Sequence, residues 1–154
     1  MYSTIRRQDR AISREESNTL LHTAEYGFLA TVGSDGQPYG IPLSYVYWNE
    51  RIYFHCALEG AKLNNIAKNP LVSFCVVGST EVIPRQFSTK YESVVLFGTA
   101  REATGEERHH ALLALLSKYS PDFHEEGKAY ISQKDHLTRV IAIDIQHITG
   151  KARK

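Results

Sequence analysis

The sequence contains only two cysteines, Cys56 and Cys75, in 154 residues. Two thiols make no disulfide framework, and neither the Cys nor the His spacing matches a zinc site, so no metal is expected. No apolar run approaches the roughly 20 residues that a membrane-spanning helix needs. The polar stretch at residues 1–10 has no apolar segment of the secretory type. The formal net charge is only +1, which leaves out the broad basic field of a nucleic-acid binder. The single basic cluster, Lys151, Arg153 and Lys154, reads as a solvated, frayed tail. Repeats, low-complexity tracts and linkers are missing. These absences point to one domain over residues 1–154, cytoplasmic, with no nucleic-acid or membrane partner.

What is present is ordinary globular composition, 42% hydrophobic and 23% charged. Nine Tyr and six Phe are many for this length and suit strands, interfaces and flat ligands. Ser13-Arg14-Glu15-Glu16 is a capping box, and Tyr26-Gly27 supplies the stop for the helix it opens. Strands follow at 28–32, 39–48 and 52–57, separated by turns at 33–36 and at Asn49-Glu50. Pro42 lies inside the second strand and donates nothing to a ladder, so it marks an edge, a bulge or a neighbour that is not a strand. Gly60 to Asn69 reads as a short helix, 71–77 as a strand, 79–91 as irregular and 92–103 as a strand. Thr104-Gly105-Glu106-Glu107 is a second capping box, opening a helix with Leu112, Leu113, Leu115 and Leu116. The 122–136 segment is ambiguous, and whether it forms a lid is open. A last strand covers 138–149. Strands joined by turns favour an antiparallel sheet, and closing it into a six-stranded barrel with peripheral helices removes its edges.

The chemistry concentrates at 52–70. A strand runs into Gly60 and a helix start, with Lys62 in the first turn. A helix N-terminus offers free N–H groups and partial positive charge, which suits a phosphate. Gly60 lets a ligand approach the backbone. A lysine in a first turn opposes the helix dipole, which a bound anion would resolve; the plain alternative is a solvated surface lysine. His55 is either a donor or acid beside a ligand or a hydrogen-bonded strand-end histidine. Cys56 and Cys75 lie in apolar strands and read as inert thiols. His109-His110 do not share a helix face and make a poor metal pair. Tyr45, Tyr47 and Trp48 suit stacking on a flat ligand or, more simply, a core or dimer interface.

Several segments, taken in order, resemble the FMN-binding split-barrel superfamily of the pyridoxamine 5′-phosphate oxidases, and within it the nitroimidazole-resistance (Nim-type) branch. They are Tyr26-Gly-Phe-Leu-Ala-Thr, Gly36-Gln-Pro-Tyr-Gly-Ile-Pro-Leu-Ser-Tyr, Tyr53-Phe-His-Cys-Ala, Gly60-Ala-Lys, Asn69-Pro, Tyr91-Glu-Ser-Val-Val-Leu-Phe-Gly and Ile148-Thr-Gly-Lys. The resemblance implies a mainly β, six-stranded antiparallel Greek-key split barrel that binds FMN at a homodimer interface. Gly40, Ile41, Pro42, Leu43, Ser44 and Tyr45 would run along the isoalloxazine edge. His55, Cys56, Ala57, Gly60, Ala61 and Lys62 would hold the ribityl phosphate, with Lys62 on the phosphate itself. Ser93 would reach the flavin from the other subunit.

The resemblance also implies an FMN-dependent oxidoreductase, with FAD as an alternative cofactor and NAD(P)H or another donor as the source of electrons. Its substrate would be a small molecule such as a nitroimidazole-type nitro compound. His55, from its own place and chemistry, is the candidate catalytic residue. Gly40, Tyr45 and Ala61 stand where pyridoxamine 5′-phosphate oxidases carry basic residues, and their basic C-terminal motif is missing, which argues against that particular oxidation. The competing readings are a non-catalytic flavin- or haem-binding protein, with His147 or another histidine as axial ligand, and a deazaflavin-dependent reductase.

Overall fold

The computed structural model describes residues 2–154. Ser13 starts the first helix, α1 (Arg14–Thr23), through the expected reciprocal cap: the Glu16 N–H donates to Ser13 Oγ at 3.0 Å and the Ser13 N–H to Glu16 Oε2 at 2.9 Å. The helix ends earlier than Tyr26-Gly27. Gly27 instead opens β1 (Gly27–Val32), where a Cβ would lie 2.3 Å from the Phe74 ring. Close packing, and no helix stop, explains that glycine.

The remaining strands are β2 (Pro38–Leu43), β3 (Val46–Trp48), β4 (Arg51–Cys56), β5 (Leu71–Ile83), β6 (Ser88–Glu102) and β7 (Arg139–Arg153). All seven join one antiparallel sheet in the order β2-β1-β5-β6-β7-β4-β3. The expected strand at 39–48 is therefore two strands, which raises the count from six to seven. Its halves lie at opposite ends of the strand order, joined only by Ser44 and Tyr45. Laid flat, seven strands would span about 29 Å, whereas that link reaches at most about 11 Å. The sheet must therefore roll up, and β2 and β3 mark the split in the resulting barrel.

Two further expectations change. The 79–91 stretch is a paired ribbon closed by a 3-10 turn at Pro84–Gln86. The C-terminal segment is ladder, not tail: β7 pairs with β6 as far as Arg153 opposite Tyr91.

The barrel interior holds Leu29, Tyr45, Phe54, Phe74, Leu96 and Ile143, all fully buried. The other helices are α2 (Ala61–Lys68), α3 (Gly105–Tyr119) and α4 (His124–Lys134); α4 resolves the 122–136 ambiguity. A second apolar cluster joins Ala111, Leu112 and Leu115 of α3 to Tyr53, Val140 and Ala142 on the outer face of β4 and β7.

Candidate functional site

The site is built where β4 runs into α2. His55 and Cys56 are the last residues but one and the last of β4. The connection at 57–60 is exposed and is tethered by Arg139, whose Nε donates to the Leu58 carbonyl at 2.9 Å. Arg139 also pairs with Glu102 at 2.9 Å.

Gly60 caps α2 with φ 154° and ψ 174°, a region essentially reserved for glycine. A Cβ there would meet nothing within 4 Å, so the space beside this backbone is open. No side chain caps the helix, and no acidic residue lies in its first turn. Its first hydrogen bond runs from the Asn64 N–H to the Gly60 carbonyl at 3.0 Å. The N–H groups of Ala61, Lys62 and Leu63 therefore precede the helical ladder. The Asn65 side chain fixes the helix to the barrel by donating to buried Thr31 Oγ1 at 3.0 Å.

Lys62 is half-buried and its charge reaches both residues at the end of β4. His55 keeps an accessible ring, but the protein crowded around it lowers its pKa, and the Lys62 cation lowers it further. The imidazole is thus held neutral at pH 7, able to donate from one nitrogen and accept at the other. Burial raises the Cys56 thiol, with Lys62 and Arg139 opposing that trend in part. Cys56 is thereby kept as a thiol, and Cys75 is likewise raised by burial. Neither is a poised nucleophile.

Ser44 lines the same cleft wall as His55. Gly40, Ile41, Pro42 and Leu43 lie on β2, the first strand in the sheet order, with Pro42 opposite Phe28. Pro42 therefore occupies an edge strand, where a missing donor costs least.

Tyr45 is a core residue. It is fully buried, its ring meets Phe74 edge-on at 4.9 Å, and its hydroxyl donates to the Leu21 carbonyl at 2.6 Å. Burial pushes its phenol above the ordinary range. Its backbone is engaged as well. The Tyr45 N–H donates to the Tyr119 hydroxyl at 3.0 Å, and Lys118 Nζ donates to the Tyr45 carbonyl at 2.9 Å. Tyr45 therefore positions the β2–β3 link from inside and has no free group for a ligand.

Ser93 stands apart. Cys56 faces Arg139 at the start of β7, whereas Ser93 faces Lys151 near its end.

The family model described as pyridoxamine 5′-phosphate oxidase matches residues 13–152. The chain belongs to this family. A 5a,11a-dehydrotetracycline/5a,11a-dehydrooxytetracycline reductase of Streptomyces rimosus is 34% identical over 87 residues, 54% of this chain and 58% of that protein. The match thus spans less than two thirds of that relative. An FAD-binding protein from Mesorhizobium loti has the same fold, with TM-score 0.70 and 28% identity over 94% of this chain and 98% of its own. A candidate 5-nitroimidazole antibiotic resistance protein from Bacteroides thetaiotaomicron superposes with TM-score 0.76 and 22% identity, covering 92% and 86% of the two chains. That likeness shows the shared fold.

Arg139, Lys118 and Tyr119 hold the backbone around this site, and sequence reading missed them. Each acts on a backbone carbonyl distant in the chain, and nothing local in sequence marks such a bond. Among the described residues, no group of three or more His, Cys, Asp or Glu side chains could hold a metal ion. No helix among them is long and apolar enough to cross a membrane.

Proposed function

We propose that this protein is a flavin-dependent oxidoreductase that binds FMN as a homodimer and reduces a small molecule, with NAD(P)H or another donor supplying electrons. One observation carries the reading: the uncapped start of α2 beside open Gly60, with Lys62 next to it. Free N–H groups, a dipole end and a full cation form a donor set suited to a phosphate. The flavin, when bound, supplies the electron-transfer chemistry. Ala61 and Lys62 would hold the phosphate and the Gly60 backbone would leave it room, while Arg139 keeps the 57–60 connection in place. Gly40 to Ser44 would border the ring.

His55, held neutral between the phosphate segment and the cleft, is the group able to donate a hydrogen bond to a substrate oxygen as negative charge builds on it. An electron-poor nitro compound is the substrate class this reading favours. Ala61 next to Lys62, and Gly40 and Tyr45 in the second-strand segment, leave no basic set for pyridoxamine phosphate.

Two relatives support a flavin and a reduction: one is an FAD-binding protein and one a reductase. The haem alternative has weaker support. Tyr2 lies flat on the His147 ring at 4.9 Å and 9°, and His147 Nε2 is enclosed without a partner. An axial ligand needs that nitrogen open.

The test is an FMN fluorescence titration of wild type and Lys62→Ala, followed by NAD(P)H bleaching of the bound flavin. Loss of one charge-assisted phosphate contact should weaken FMN binding by about tenfold or more. Equal affinities would remove Lys62 from the phosphate site. A wild-type protein that ignores FMN would remove the flavin itself.

A further inference from the structure

α3 and α4 turn apolar stripes toward each other without closing. On α3 the stripe is Leu112, Leu115, Leu116 and Tyr119, at helical spacing. Facing it are Phe123, just before α4, and Tyr130 and Ile131 on α4, flanking Gly127. Facing stripes of this kind ordinarily interlock and exclude water. Here the helices touch at Gly127, where a Cβ would lie 2.1 Å from Leu116 Cδ1. They meet again at Ile131, which packs against the α3 cluster, and part on the side of Phe123 and Tyr130. α4 buries no residue at all, and Phe123 and Tyr130 remain 62% and 64% exposed. The gap is a cleft of about 720 Å³, within the roughly 300–1,000 Å³ of small-molecule pockets.

The walls select the occupant. Three aromatic rings, of Tyr119, Phe123 and Tyr130, offer flat faces and edges to a planar molecule. The rim carries one acid and one base, Glu126 and Lys134, plus Asp135, whose carboxylate is taken by Arg108. A rim of mixed sign attracts neither anions nor cations strongly. The polar groups at the strand ends are Ser44, His55 and Thr138, able to donate to an oxygen at one edge of the ligand.

We propose that this cleft binds an uncharged, planar aromatic or quinonoid molecule whose ring system lies between α3 and α4 and whose edge oxygen accepts from His55. The proposal rests on the oxidoreductase reading only for its purpose: it would seat the substrate beside the phosphate segment. The binding itself does not require flavin.

The probe is 2,3-dimethyl-1,4-naphthoquinone, followed by leucine-methyl NMR and calorimetry on the full chain, with and without FMN. The expected result is a saturable shift of the Leu116 methyls. Phe123→Ala, which removes one aromatic wall at an exposed position, should weaken quinone binding at least tenfold while leaving FMN affinity unchanged. Tyr130→Ser, at an exposed position that folding does not depend on, should weaken it several-fold. Equal quinone affinity in wild type and both variants would overturn the site. So would Leu116 methyls that ignore the quinone, or that move only with protein concentration, which would make the cleft a contact between copies. If the quinone binds as expected while FMN does not, the cleft stands and the flavin reading falls.

Discussion

At the scale of single residues, Lys118 has the most unusual surroundings. Its ammonium lies 3.8 Å from the centre of the Tyr45 ring and donates to the Tyr45 carbonyl, with no carboxylate within salt-bridge distance among the described residues. Burial lowers it from 10.5 to about 8. Between those values the unfolded chain binds more protons than the folded one, so folding stability rises with pH across that window. The cost of burying the charge is felt in full below about pH 8. Lys118→Met removes the charge and leaves the Tyr119 hydroxyl, 3.0 Å from the Tyr45 carbonyl, in place. Relative to that variant, wild type should gain stability as pH is raised from 7.5 to 10, measured by urea denaturation; a constant difference would refute the assignment. His55 gives the second residue-scale test. Burial is the larger cause of its lowered pKa and Lys62 the smaller, so Lys62→Met should raise the NMR titration midpoint of His55 only part of the way to 6.5. No movement would place the Lys62 charge out of reach. The Lys62–His55 neighbourhood was legible in sequence because both flank one strand–helix joint. The Lys118–Tyr45 pair was not, because 73 residues separate its members.

At the scale of elements, local patterns succeeded where tertiary partners left the local bond intact. The Ser13 box forms because Glu16 Oε2 accepts from its own helix start while exposed Lys154 takes only Oε1, at 2.9 Å. The Thr104 box does not form: the Thr104 side chain makes no cap. Glu107 is instead gripped by Arg101 at 2.7 and 2.9 Å and accepts from the Tyr53 hydroxyl at 2.9 Å. The same Arg101 binds Asp144 at 2.7 Å, which also takes Arg51 at 2.6 Å. A four-residue pattern cannot announce partners on three strands. The strand at 39–48 failed for a related reason, since its continuous apolar reading hides the crossing from one barrel edge to the other at Ser44. Gly98 is the matching feature on β6. It sits where the β6–β7 register shifts, and a Cβ there would come 2.4 Å from the Asp144 carbonyl and 2.7 Å from Ile143 Cγ2. The clash is with backbone, which cannot rotate away. Gly98→Ala should therefore destabilise the fold by about 1–3 kcal/mol or more, read as a lower urea midpoint. An unchanged midpoint would mean that the shifted register is pliable.

At the scale of the whole molecule, the outer face of the sheet remains to be covered. Along β1, β5 and β6 the residues alternate. Leu29, Phe74, Val76, Val94 and Leu96 point into the barrel, and their neighbours point out. Phe28, Cys75, Val95 and Thr149 form one outward row across four strands. Phe28 is 42% exposed, and Val77, on the same face, 47%. Such a patch on a sheet face fits a self-complementary interface. Ser93 pairs with Val77 on this face, and the length of β7 separates it from the phosphate segment of its own chain. In a two-fold dimer it would serve the partner's site, which gives Ser93 the role the sequence resemblance implied. In such a dimer assembly and flavin binding would be coupled, because each site would be completed across the interface. Val77→Glu places a charge on that face, at a 47% exposed position whose side chain points away from the barrel core. Sedimentation equilibrium should show the variant as a monomer, and FMN titration should show a parallel loss of affinity. A monomer that keeps full FMN affinity would separate cofactor binding from assembly and confine the site to one chain. A variant that remains dimeric would move the interface to another face.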